Sequence, residues 1–194
     1  MKKIIYLIIA LLFSAIIFTT ISCEKESFTG DSGTFIDSRD NHEYKWIKVE
    51  GHDFSQIWMA ENVTYQSVRD TCYSYSSTTD KNIYGKLYIW EAAKKEACPD
   101  GWHLPSMEEW ETLIFDFLDE SENELKFDAV SGGCYKYGDS YILGKGKVGC
   151  WWSSKENKES KSAEIVRIYH ETNYIRIDDS WPKNYGLSVR CVKD

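Results

Sequence analysis

The side chains best suited to chemistry in this chain are its histidines, its cysteines and one pair of adjacent acids. The histidines lie in unrelated segments and lack metal-ligand spacing; they are His42, His52, His103 and His170. Asp178 and Asp179 could bind calcium or act as paired carboxylates, although a solvated turn is the simpler interpretation. These residues assemble no catalytic constellation. We therefore expect a protein that is not an enzyme and that needs no cofactor or metal.

The cysteine nearest the amino terminus has a distinct chemistry, because it follows a secretory signal. Lys2 and Lys3 precede an apolar run that ends near Ile21, and Ser22 and Cys23 come next. A basic start, an apolar segment and a small residue are typical of a signal peptide. The cysteine predicts lipidation, with residues 1–22 removed and residues 23–33 forming a tether. An uncleaved membrane helix and an ordinary cleaved signal are the alternatives.

The other five cysteines are expected to meet an oxidising compartment, where disulfides form. Cys98 closes a predicted helix and Cys191 lies on the last predicted strand, so a bridge between them would join the start of the fold to its end. Such a loop is worth about 4–5 kcal/mol in the chain-entropy model. Cys134 and Cys150 flank a glycine-rich segment and predict a second bridge. Cys72 is then either free or part of a different pairing.

Charge narrows the class of partner. Without Lys2 and Lys3 the chain keeps 21 basic and 31 acidic side chains, a net charge of −10. Nucleic-acid binding depends on Lys and Arg, so we expect no nucleic-acid partner. The remaining residues, 34–194, suffice for one domain with its own core.

Helices must position some of these side chains. Residues 89–97 favour a helix that ends before Cys98. Ser106 and Glu109 form a predicted capping box, in which each side chain satisfies a backbone donor of the first turn. The helix that follows presents core side chains at helical spacing; these are Met107, Trp110, Leu113, Ile114, Phe117 and Leu118.

Strands must supply the rest of the scaffold. Residues 34–37 and 43–49 predict a hairpin, and residues 56–62 a further strand. Apolar and polar residues alternate over 166–169, 175–178 and 187–191. This alternation is typical of an antiparallel sheet with one buried and one wet face. Residues 155–161 predict a solvated loop between two strands. The fold class is therefore α+β.

Several segments together carry a family resemblance. They are residues 34–39 (TFIDSR), 57–62 (IWMAEN), 84–93 (YGKLYIWEAA), 98–110 (CPDGWHLPSMEEW), 151–154 (WWSS) and 185–194 (YGLSVRCVKD). In this order they resemble the FISUMP domain, the Fibrobacter succinogenes major paralogous domain. The resemblance spans nearly all of residues 34–194. It implies an exported, often lipid-anchored protein, which we place in the outer membrane at the cell surface of a Gram-negative bacterium.

The resemblance also implies a fold. FISUMP domains are similar in outline to the C-type-lectin-like fold, which includes the formylglycine-generating enzymes. We expect two short helices packed on antiparallel sheet and stapled by Cys98–Cys191. Relatives often carry a partner for Cys72, and this chain lacks one, so Cys98–Cys191 is the preferred bridge. Cys134 and Cys150 are sixteen residues apart, too far for a formylglycine-type oxidase, which remains a remote alternative.

The favoured function is recognition of a surface protein or glycan by a non-catalytic, lectin-like module, with the lipid anchor as its link to the membrane. Aromatic and Arg side chains make good anchors, because they bury much area at low entropic cost. The predicted contacts on the wet sheet face are Trp152, Lys155, Tyr169, Tyr174, Arg176, Asp178, Trp181 and Tyr185. Trp152 and Trp181 fit a core position equally well. The alternative function is assembly of an envelope complex without a soluble ligand.

Overall fold

The computed structural model describes residues 28, 30–50, 54–66, 72–117, 127–139, 141–172 and 174–194. The predicted signal peptide, Cys23 and His52 lie outside these residues. Within the part of the chain that the structure describes, no helix combines the length and apolarity needed to cross a bilayer.

The described residues form an α+β fold, as the sequence predicts. The strands are β1 Ser32–Asp37, β2 His42–Glu50, β3 Ser55–Met59, β4 Cys72–Tyr73, β5 Leu87–Tyr88, β6 Trp102–His103, β7 Cys134–Tyr135, β8 Ile142–Leu143, β9 Val148–Asn157, β10 Ser162–Tyr169, β11 Tyr174–Pro182 and β12 Val192–Lys193. The helices are α1 Thr78–Tyr84, α2 Trp90–Ala92 and α3 Met107–Thr112. Two π-helical turns, Ala93–Ala97 and Leu113–Phe117, continue α2 and α3.

The larger sheet joins both ends of the described chain. Its five strands run in the order β1-β2-β3-β12-β6, and each ladder is antiparallel. β1 and β2 form the predicted hairpin, with Phe35 opposite Tyr44. Phe28 packs on Trp46 and Trp102, so a residue of the predicted tether also contacts this sheet.

One disulfide closes this sheet over α2. It joins Cys98 to Cys191, the preferred pairing from the sequence, with their Cα atoms 5.8 Å apart. Arg39 reinforces the same corner, because its guanidinium donates to the carbonyl oxygens of Glu96, Ala97 and Cys98. The end of the π-helical turn is thus capped by a side chain from the β1–β2 turn.

The predicted capping box is present at the start of α3. The Ser106 hydroxyl accepts from the Glu109 N–H, and the Glu109 carboxylate accepts from the Ser106 N–H. Met107, Trp110 and the following Leu113 and Ile114 are buried, as their spacing predicts. The Phe117 side chain and Leu118 lie outside the described residues. α1 was not predicted; it begins after Ser77, whose hydroxyl accepts from the Asp80 N–H.

The second sheet has the order β11-β10-β9, and residues 158–161 form the predicted turn between β9 and β10. Successive side chains of a strand point to opposite faces. Trp151 and Trp152 of β9 therefore enter two different clusters of buried residues. The prediction of Trp152 as a ligand contact is wrong, because its ring is 0% exposed and its Nε1 donates to the Tyr88 carbonyl oxygen at 2.7 Å.

The prediction that residues 187–191 have one solvent-exposed face is also wrong. Ser188 and Arg190 are as buried as Leu187, Val189 and Cys191. Only Val192 and Lys193 of this region form a regular strand, since residues 186–188 make isolated bridges instead. The segment crosses the interior between the two sheets, so it has no face toward solvent.

Arg190 holds this interior crossing in place. Its Nε donates to Asn62 Oδ1 at 3.0 Å, and its two terminal nitrogens donate to the carbonyl oxygens of Phe127 and Asp128. Asn62 Oδ1 also accepts from Trp151 Nε1 at 2.8 Å. Burial without a hydrogen-bonded carboxylate lowers the pKa of Arg190 to about 9. Arg190 therefore stabilises this crossing, because its removal would leave the buried oxygens of Asn62, Phe127 and Asp128 without this hydrogen-bond donor.

Candidate functional site

A concave pocket opens between β4, the start of α1 and the β7–β8 hairpin. Its volume is about 580 Å³, within the range of about 300–1,000 Å³ typical of ligand sites. Its walls are formed by Cys72, Tyr73, Ser74, Tyr75, Ser76, Asp80, Tyr135, Tyr141, Ile142 and Lys145. We call it the tyrosine pocket. Four of its ten lining residues are tyrosines, so aromatic rings are its dominant chemistry.

Two of these tyrosines contact each other in the pocket wall. The Tyr73 and Tyr135 ring centroids are 4.0 Å apart. Tyr135 also exchanges two backbone hydrogen bonds with Gly186. A Cβ atom on Gly186 would lie 2.6 Å from Tyr73 Cδ2, so only glycine permits the close approach. The carboxyl-terminal segment therefore fixes both rings from behind.

A third tyrosine forms a rigid wall. Tyr75 is buried, and its hydroxyl donates to the Gly132 carbonyl oxygen at 2.6 Å. Burial raises the pKa of Tyr75 far above its usual value, so the phenol stays neutral and does not act as a base. A Cβ atom on Gly132 would lie 2.8 Å from that hydroxyl, which explains a glycine at this position.

The polar part of the pocket is an ion pair. Lys145 Nζ lies 2.7 Å from Asp80 Oδ2, and the hydrogen bond to Asp80 raises the pKa of Lys145. The lysine is therefore charged and paired, and the two side chains contribute no net charge. Each retains unused hydrogen-bonding capacity, because an ammonium has three donors and a carboxylate accepts at two oxygens.

The mouth of the pocket carries an exposed aromatic side chain beside a short strand. Tyr141 is 64% exposed and directly precedes β8, which pairs with β7 in a short antiparallel ladder. Tyr137 and Leu143 of the same hairpin are also exposed. Exposed apolar side chains grouped around a concavity mark interaction sites more often than isolated ones do.

Among the described residues three cysteines are unpaired, and one of them lines the pocket. Cys72 lines it and accepts a hydrogen bond from Gln66 Nε2 at 3.2 Å. The expected Cys134–Cys150 bridge is absent, and both residues are free, buried thiols. They share a hydrogen bond, which lowers the pKa of Cys134 and raises that of Cys150.

Several of the residues predicted to contact a ligand on β11 are instead paired with other side chains of the protein. Asp178 bonds to Arg167 at 2.5 Å and to Arg176 at 2.7 Å, so it is not a free carboxylate for calcium. Trp181 and Tyr185 pack edge to face, with centroids 5.2 Å apart, and both are half-buried against the core.

The remaining predicted contacts lie nearer to solvent. Tyr174 is 59% exposed and packs on the half-buried Tyr169, with ring centroids 5.8 Å apart. Arg176 and Lys155 are exposed, and Lys155 pairs with Glu164 at 3.2 Å. The structure therefore brings most of the predicted residues to one sheet, where many of them pair with one another.

Metal ligation has little support in the geometry. Across the described ranges, no three His, Cys, Asp or Glu side chains are grouped as metal ligands. A smaller pocket of about 310 Å³ includes Glu43, Glu61 and Asp128, but Glu61 already pairs with Lys45 at 3.2 Å. His103 lies between two carboxylates, with Nδ1 at 2.6 Å from Asp194 and Nε2 at 3.0 Å from Glu109.

The tyrosine pocket could not be read from the sequence, because its walls come from segments some sixty residues apart in the chain. The only local signals were the glycine-rich segment after Cys134 and the clustered Tyr and Ser residues at 73–77.

One family comparison bears on this architecture. Residues 54–126 match the model of the Fibrobacter succinogenes major domain. The match supports the resemblance of this part of the chain to that family. Comparison with curated proteins and with solved structures gave no match.

The matched range divides the tyrosine pocket. Cys72, Tyr73, Tyr75 and Asp80 lie inside it, whereas Tyr135, Tyr141 and Lys145 lie outside. The matched range therefore supplies one wall, and the later glycine-rich hairpin supplies the other.

Proposed function

We propose that this chain is a non-catalytic recognition module, held at the outer membrane surface by a lipid on Cys23, and that its ligand binds in the tyrosine pocket. The observation that carries the proposal is the combination of a concave site with aromatic walls that distant segments hold rigid. A preformed aromatic site binds with little loss of conformational freedom. The ligand is a protein segment or a glycan.

The fold proposed for this module is C-type-lectin-like. Two features support it: the disulfide between the end of the α2 segment and residue 191, and the pairing of β12 with β3. Together they bring the beginning and the end of the domain into one sheet. The ligand site proposed here differs from the sheet face expected from the sequence.

The absence of catalysis is part of the proposal and rests on the state of the polar groups. Asp80 is paired with Lys145, and the Tyr75 phenol is neutral and hydrogen-bonded. The neutral phenol is not poised to act as a general base. The surface location rests on the sequence signal and on the family match with residues 54–126.

A binding screen of the soluble fragment 24–194 tests the proposal. The fragment would be applied to arrays of immobilised glycans and of envelope proteins. We expect saturable binding to at least one ligand, lost in Tyr135→Ala and retained in Tyr174→Ala, with unchanged circular dichroism in both variants. Tyr174 is the matched control, since it is an exposed tyrosine on the other sheet.

Two results would overturn the proposal. Saturable binding that survives Tyr135→Ala and is lost in Tyr174→Ala would move the site to the β11 face. The absence of any array ligand, together with one constant cross-linked partner in intact cells, would favour the assembly function instead.

A further inference from the structure

The chemistry of the tyrosine pocket narrows the ligand class beyond a protein or a glycan. We infer that the pocket binds a neutral carbohydrate, one or two sugar rings deep, without calcium. This inference rests on the proposed function, because it assigns the ligand of the same site. It depends on three features of the pocket: its rings, its charge and its shape.

The rings match the faces of a sugar. The π-face of an aromatic ring is electron-rich and attracts the polarised C–H groups on one side of a pyranose. Tyr141 supplies an exposed ring at the mouth, and Tyr73 and Tyr135, whose ring centroids are 4.0 Å apart, line the interior as a contacting pair. Because Tyr73 and Tyr135 are braced by Gly186 and by each other, their orientation does not have to be fixed on binding.

The polar groups match the edge of a sugar. Ser74 and Ser76 are exposed hydroxyls in the pocket wall, and the Asp80–Lys145 pair supplies an acceptor beside a donor. Neighbouring hydroxyls of a sugar donate to the carboxylate and accept from the ammonium at the same time. An apolar ligand would leave these groups without partners, at a cost in affinity.

The charge excludes ionic ligands. Asp80 and Lys145 neutralise each other at 2.7 Å, so the pocket offers no free cation for a sulfate, a phosphate or a uronic acid. The full chain carries a net charge of −8, which disfavours approach of an acidic glycan or a nucleotide. A cationic ligand would have to compete with Lys145 for Asp80.

The shape favours a small ring system over a folded protein partner. A stable protein interface buries about 800 Å² on each side. A concavity of about 580 Å³ whose lining includes the exposed Tyr141 suits a ligand that enters end-on. A terminal sugar or disaccharide of a glycan chain has this form.

Isothermal titration of fragment 24–194 with neutral oligosaccharides chosen from a glycan array tests the inference. We expect Tyr141→Ala to weaken binding by about tenfold or more, because stacking contributes on this order. Tyr141→Phe should bind as the parent does, since the ring and not the hydroxyl makes the contact. Tyr174→Ala is the matched control, and EDTA should change nothing.

Each opposite result is decisive. Preference for sulfated or uronic-acid glycans, loss of binding in EDTA, or full affinity in Tyr141→Ala would overturn the inference. So would the absence of any neutral glycan ligand. A protein ligand that depends on Tyr135 would overturn the carbohydrate assignment while supporting the proposed recognition function, so the two failures are distinguishable.

Discussion

The tyrosine pocket and the outer face of β11 use similar residue types in opposite ways. In the pocket, Tyr73 and Tyr135 are fixed from behind and leave a concavity open. On β11, Asp178 is shared by two arginines, and Trp181 lies half-buried against the core. Aromatic and charged side chains therefore line a concavity only where the backbone leaves space between them. On β11 the same kinds of side chain contact one another instead.

The largest expected effect is that of replacing Trp152, which the sequence predicted to be a ligand contact on the sheet that contains β11. Trp152→Ala should lower the free energy of unfolding by about 3–5 kcal/mol, because it removes a fully buried ring and its hydrogen bond to Tyr88. Trp181→Ala should cost about 1–2 kcal/mol, since that ring is half-buried. Urea unfolding measures both. Equal losses of unfolding free energy in the two variants would contradict the assignment of Trp152 to the core and of Trp181 to a half-buried position.

The disulfide should matter more for the pocket than for β11. Replacing both Cys98 and Cys191 with serine should cost about 2–5 kcal/mol. Gly186 and Leu187, which support the pocket and β5, belong to the same terminal segment as Cys191. Hydrogen exchange should therefore rise first in β5 and β7, and later in β10 and β11. Uniform loss of protection would show that the two regions unfold as one.

A smaller effect should follow from breaking the charge network on β11. Asp178→Asn should cost about 1–2 kcal/mol, because Arg167 loses a partly buried ionic partner. The neighbouring Asp179 is exposed, and Asp179→Asn should change the free energy of unfolding by less than about 0.5 kcal/mol. Ligand binding in the pocket should be unchanged in both variants, as titration would show.

A pH effect should appear at the edge of the five-stranded sheet, away from both regions. Burial opposes the charged form of His103, but hydrogen bonds to Asp194 and Glu109 outweigh it and raise its pKa. The stabilisation is complete below the unfolded pKa, near 6.5, and is lost as the pH rises through the folded value. The melting temperature should fall slightly from pH 6 to pH 8.5, and His103→Gln should remove that fall. An unchanged slope in the variant would assign it to other groups.

The smallest expected effect is a change in the rate at which a thiol reacts with a labelling reagent. Fragment 24–194 has three free thiols, and only Cys72 is partly accessible. Ellman's reagent should modify one thiol quickly and two more on unfolding, and a pocket ligand should slow the first reaction. A single thiol in the unfolded protein would mean that Cys134 and Cys150 become bridged after all.

Local rules predicted the parts of the fold that depend on neighbouring residues. The β1–β2 hairpin, the Ser106–Glu109 capping box and the turn at 158–161 each follow from a few adjacent side chains. The preference for Cys98–Cys191 came from the family resemblance, since segment positions alone also suggested Cys134–Cys150.

The rest depends on contacts between distant segments. Alternation in residues 187–191 predicted a wet face, but strand periodicity does not reveal a second layer that covers that face. Arg190 is buried because Asn62, Phe127 and Asp128 converge on it, and none of them is near in sequence. The tyrosine pocket is equally non-local, since its two walls meet only after the chain has folded.

The position of β12 has a consequence for how the chain reaches its fold. Val192 pairs with Trp58 on one side and with His103 on the other, so the latest strand lies between two much earlier ones. Contacts this far apart in sequence slow folding, because the loops between them must close first. The sheet therefore stays incomplete until residues 192 and 193 are available to pair. Until then the strands at Trp58 and His103 lack their shared neighbour and must avoid aggregation.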